Sequence, residues 1–199
     1  MTNKTKILTM TFAISAILVA SPFAMQSASA GISDMMDCST DKFNPTIGDL
    51  SSYTIVIANA GDNCYLGQYG ETTEVLGVNL EDAGKVNVVN TEIGYFGTEI
   101  DGTTDYVKFK DNELHAHALI SNNDVTHLEV MDNYVFTGYT TPEISIEQNT
   151  ANILKIVGNS ISISMKDNTI DFFAFCKNNT PDVHSWEENT YNGKNKGCP

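Results

Sequence analysis

Between Tyr106 and Tyr139 runs of alternating apolar and polar residues follow one another with only two or three residues between them, and every gap holds an asparagine. A period of two means strands that bury one face and wet the other. Tyr106-Val-Lys-Phe-Lys110 is followed by Asp111-Asn112, and the later gaps are Ser121-Asn122-Asn123 and Asp132-Asn133. Asn and Asp tolerate positive φ, so these gaps suit two- and three-residue hairpins. The resulting antiparallel register sets Phe109 against Leu114, Val107 against Ala116, Leu114 against Val130 and Ala116 against Leu128. One face is then apolar, and the other carries Lys108, Lys110, Glu113, His115, His117, His127 and Glu129.

The pattern resumes past Thr141-Pro142. Asn149, Gly158-Asn159 and Asp167-Asn168 predict a second ribbon in which Ile156 faces Ile161, Leu154 faces Ile163 and Met165 faces Ile170. The apolar run Ile170 to Cys176 is expected to be central or covered. Nearer the start, Ser52 to Ala58 and Cys64 to Tyr69 predict a first hairpin about Asn59-Ala-Gly-Asp62. The chain is thus expected to be all-β, with hairpin and meander ribbons forming an antiparallel sandwich or barrel over residues 51–177. The alternative is a parallel β-helix: Asn112, Asn122, Asn133, Asn149, Asn159, Asn168 and Asn178 recur about every ten positions, and contacts one coil apart, such as Leu128 to Leu154, distinguish it.

Residues 1–30 have the layout of a secretory signal: Lys4 and Lys6, an apolar core from Ile7 to Ala20, and Ala28-Ser29-Ala30 as the cleavage motif. This predicts export to the periplasm or the extracellular space, with no membrane span in the mature protein. Residues 31–50 read as an irregular arm and 178–199 as a tail. Four cysteines in an exported chain predict two disulfides, and pairing Cys38 with Cys64 and Cys176 with Cys198 ties down both terminal segments. The formal net charge is −14, and every basic residue is a lysine. Without arginine's planar fork an acidic chain is poorly suited to nucleic acid, so the expected partners are a protein or a glycan at the cell surface or envelope.

No nucleophile, phosphate-loop, dinucleotide or zinc-protease motif is present, which points away from an enzyme and from a resident cofactor. Two features offer chemistry. In the hairpin register His115 and His117 share a strand face, His127 lies opposite His117, and Glu129 lies opposite His115, a set suited to Zn²⁺ or Cu²⁺ and so to a metal-binding or metal-dependent alternative. Aromatic residues including Tyr65, Tyr69, Tyr95, Phe96, Trp186 and Tyr191 supply rings for stacking a sugar or contacting a protein. The leading expectation is an exported, disulfide-stapled, non-enzymatic β domain that binds a surface glycan or protein.

Overall fold

The computed structural model describes residues 35–38, 55–58, 60–67, 72–136, 141–181 and 185–199. The chain divides into Met1–Asp34 and Met35–Pro199, and the described residues all belong to the second unit. The expected signal segment, Tyr69 and most of the expected arm lie outside them. The described residues hold eighteen strands and no helix, hence no helix long and apolar enough to cross a membrane. One sheet comprises β1 (Met35–Asp37), β2 (Ile55–Ala58), β4 (Thr73–Glu81), β6 (Thr91–Asp101), β9 (Ala118–Ser121), β12 (Glu143–Glu147), β14 (Ser162–Lys166) and β16 (Ser185–Glu187), with β8 (Glu113–Leu114) and β11 (Tyr134–Val135) joined to the front of β6. The second comprises β3 (Cys64–Leu66), β5 (Lys85–Val89), β7 (Tyr106–Lys110), β10 (Asp124–Met131), β13 (Thr150–Val157), β15 (Thr169–Lys177) and β17 (Thr190–Tyr191), with β18 (Lys194–Lys196) also on β15.

Every pairing is parallel, so the fold is a β-solenoid and the antiparallel sandwich or barrel is corrected to the parallel alternative. Leu128 pairs with Leu154, one coil away, and Leu154 pairs onward with Ala174 instead of folding back on Ile163. Val107 pairs with Val86 and Leu128, not with Ala116. The strands expected to make the first hairpin, β2 and β3, lie in different sheets. Three strands, β16 to β18, fall in the segment read as a tail. Phe172, within the run expected to be covered, is 71% exposed where β15 is locally irregular against β13.

The physical reason lies at the corners. A type I′ hairpin needs positive φ at both central residues. Here only the first residue of each pair adopts it: Asp111, Asn122, Asp132, Gln148, Asp167, Asn178 and Glu188 have φ between 53° and 59°, and Gly158 has 72°. The next residue is each time an asparagine whose side chain turns into the protein. Asn112, Asn133, Asn159 and Asn179 form one ladder, and Asn123, Asn149, Asn168 and Asn189 another. Asn133 is typical. Its Oδ1 accepts from the backbone N and Nδ2 of Asn112, while its Nδ2 donates to the Phe109 carbonyl and to Asn159 Oδ1. All four hydrogen-bonding positions of a fully buried amide are therefore used, as burial of a polar group requires.

Alternation survives the change of topology because each coil encloses its own core. Val107, Leu128 and Leu154 stack from the second sheet against Ile100, Ile120 and Ile146 from the first, all fully buried. Two disulfides, Cys38–Cys64 and Cys176–Cys198, join the residues paired in the sequence reading, and among the described residues no cysteine is free.

Candidate functional site: an aromatic corner

Where β6 leaves its first pairing and bends through Gly94–Gly97, the chain exposes rings instead of burying them. Ile93, Leu114 and Val135 pair in order across β6, β8 and β11 and face the core. By alternation, the flanking residues face out. On one side stand Glu92, Glu113 and Tyr134, and one residue further along stand Gly94, His115 and Phe136. The His115 ring lies flat on Phe136, with centroids 4.1 Å apart and an interplanar angle of 10°. Tyr95 meets its edge at 5.7 Å. His115 Nε2 is 2.9 Å from Glu92 Oε1. The Tyr134 hydroxyl bonds Glu113, and its pKa is raised by burial first and then by that carboxylate. Tyr95, Phe96, Tyr134 and Phe136 account for four of the five large hydrophobic side chains exposed among the described residues, at 68%, 59%, 42% and 40%.

Such a surface has a definite chemistry. Ring faces stack against apolar C–H surfaces, and the two carboxylates accept hydrogen bonds from hydroxyl or amine groups laid over the rings. Glu92 and Glu113 are neighbours in register, so their like charges oppose one another unless a donor lies between them.

The parallel register separates the residues expected to share a metal. His115 belongs to the corner just described. His117 is exposed and accepts the Glu143 backbone N–H at Nδ1, whereas His127 lies on β10 in the other sheet, beside Thr126 and Tyr106. Among the described residues, no group of three or more His, Cys, Asp or Glu side chains is arranged to hold a metal ion.

Glu129, also on β10, is mostly buried between Tyr106 and Lys155. Burial opposes its ionisation, but hydrogen bonds from Lys155 and Tyr106 outweigh it and hold the carboxyl below its ordinary pKa. Its own burial, and after that the hydrogen bond to Glu129, push the Tyr106 phenol upward. A depressed carboxyl contributes stability that is complete above the unfolded-state value, about 4.3, and is lost as pH falls through the folded-state value. Glu129→Gln is therefore expected to flatten the loss of stability below about pH 4. Urea melts of both proteins between pH 5 and 2 check this, and parallel slopes would refute it.

Of the expected stacking rings, Tyr65 is half-buried on the outer face of β3. Trp186 and Tyr191 are partly buried against the core and stack on each other at 6.0 Å; Trp186 continues the inward column of Met165. The Tyr191 hydroxyl is buried without a partner among the described residues, and burial raises its pKa. Tyr95 and Phe96 were legible as candidate contact rings; Tyr134 and Phe136 were not. The missed signal is periodic: Glu92, Glu113 and Tyr134 fall at successive coil positions. No protein-family model, curated protein or solved structure matches the chain.

Proposed function

We propose that the protein is an exported, disulfide-stapled binding module that holds a surface glycan at the aromatic corner. The observation that carries this reading is the pair of exposed rings Tyr95 and Phe136 packed about the mostly buried His115 and flanked by Glu92 and Glu113, rings and acceptors held side by side on paired strands. A pyranose presents an apolar C–H face to a ring and hydroxyls around its rim, so both parts of the surface are used at once. The chain's backbone adds stiffness. Strands and asparagine ladders set the spacing of the rings before ligand arrives, which lowers the ordering cost of binding. Both disulfides suit the oxidising compartment that the signal-like start implies.

The test is retention of the oxidised protein by immobilised neutral and amino-sugar polysaccharides, followed by titration calorimetry. Tyr95→Ala and Phe136→Ala are each expected to weaken binding tenfold or more, about 1.4 kcal/mol, with little change in melting temperature because both side chains are exposed. Binding only to a protein, or glycan binding untouched by either substitution, would overturn the reading.

A further inference from the structure

We propose that the outer face of the second sheet is a separate binding surface for an anionic polysaccharide, one that carries a carboxylate or phosphate on its repeating sugars. The chain as a whole is acidic, at −14, yet its charge is sorted by sheet. Strands of the first sheet carry ten acidic residues and a single lysine, Lys166. Strands of the second carry three acidic residues and seven lysines: Lys85, Lys108 and Lys110 on β5 and β7, and Lys155, Lys177, Lys194 and Lys196 on β13, β15 and β18.

Alternation points these lysines outward. Lys108 and Lys110 flank buried Phe109, Lys155 lies between buried Leu154 and Ile156, and Lys177 follows buried Cys176. The parallel register then lines them up. One outward row runs Tyr65, Asn87, Lys108, Glu129, Lys155, Phe175 and Lys196, with Tyr106, His127 and Phe173 in the adjacent row.

Much of the charge on this face is left for a ligand. Lys85 pairs with Asp105 and Lys110 with Asp111, both at strand ends, and Lys155 is taken by Glu129. Lys108, Lys177, Lys194 and Lys196 form no ion pair among the described residues. Lys196 lies over the Phe175 ring, 5.6 Å from its centroid, and the Phe173 and Phe175 rings are stacked beside it.

Three features select a glycan as the occupant. Lys108, Lys155 and Lys196 stand on every second strand of the row, about 9.6 Å apart at a strand spacing of about 4.8 Å, which is close to the length of two sugar rings, so a polymer with charged repeating sugars meets a cation at every second one. Rings interleaved with ammonium groups suit a sugar face with an attached carboxylate. Lysine supplies point charges without the bidentate fork that nucleic-acid recognition favours. The site does not depend on the aromatic corner, which lies on the other sheet.

Polygalacturonate is the probe. Binding to the oxidised protein is expected to weaken roughly 20- to 50-fold between 50 and 200 mM salt, the slope expected when three or four charges are neutralised. The triple variant Lys108→Gln, Lys177→Gln, Lys196→Gln is expected to lose at least tenfold at 50 mM salt with an unchanged melt, while Lys166→Gln behaves as the parent. No binding, or equal binding by the triple variant, would overturn the proposal. So would polyglutamate or single-stranded DNA binding as tightly, since charge alone would then be read. Neutral-glycan binding to the corner is measured separately, so either site can fail without the other.

Discussion

Replacing Asn149 with alanine is expected to destabilise the fold by about 3–5 kcal/mol, the sum of several buried groups losing their partners at once. Asn149 is fully buried. Its Oδ1 accepts from Asn123 N and Nδ2, and its Nδ2 donates to the Ile120 carbonyl and Asn168 Oδ1. Alanine strands these groups in a place water does not reach. Aspartate tests the same point from the other side: it keeps the acceptor but removes both donors and buries a charge, and it is expected to cost at least as much. Asn152→Ala on the same coil, where the side chain is exposed, is expected to change stability by less than about 0.5 kcal/mol. Equilibrium urea denaturation measures all three. A loss under about 1 kcal/mol for Asn149→Ala would mean that the ladder accompanies the fold without stabilising it.

Reduction of the disulfides is expected to cost about 3 kcal/mol each in the chain-entropy model, because they close segments of 26 and 22 residues. The effect should be local. In a solenoid each coil touches only its neighbours, so loss of Cys176–Cys198 is expected to release β16, β17 and β18 while the pairing of β7, β10 and β13 stays protected. Hydrogen exchange of the Cys198→Ser, Cys176→Ser double variant distinguishes the cases. Uniform loss of protection along the chain would show that the bond supports the whole fold and not one end.

The inward set was legible in the sequence. Val107, Phe109, Leu128, Val130, Ile144, Ile146, Leu154, Ile156 and Ile163 are all fully buried, as alternation implies. Their partners were not legible. Alternation says which way a side chain points but not which strand lies beside it, and Asp-Asn serves equally as a hairpin turn or as a corner with one left-handed residue. What separates the two is the asparagine after the positive-φ residue: in a hairpin tip it faces water, whereas here Asn112, Asn133 and Asn159 face inward and bond one another. The metal reading depended wholly on the antiparallel register, because only that register placed His117 and His127 side by side. Half of the aromatic corner was equally hidden, since Tyr134 meets Glu113 only when strands stack one coil apart.

The asparagine corners also act as a counting device. Ladder steps of 19, 20 and 21 residues recur, but two steps are 26: Asn123 to Asn149 and Asn133 to Asn159. The stretch common to both long steps is 133–149, so the surplus chain is confined to one side of one coil. Length can vary there without shifting either ladder, because both corners that bound the stretch remain in place. Elsewhere the ladder steps stay within 19 to 21 residues, so an insertion of several residues would pull an inward asparagine off its ladder. Between Asn133 and Asn149, therefore, a foreign peptide can be inserted while both ladders keep their register.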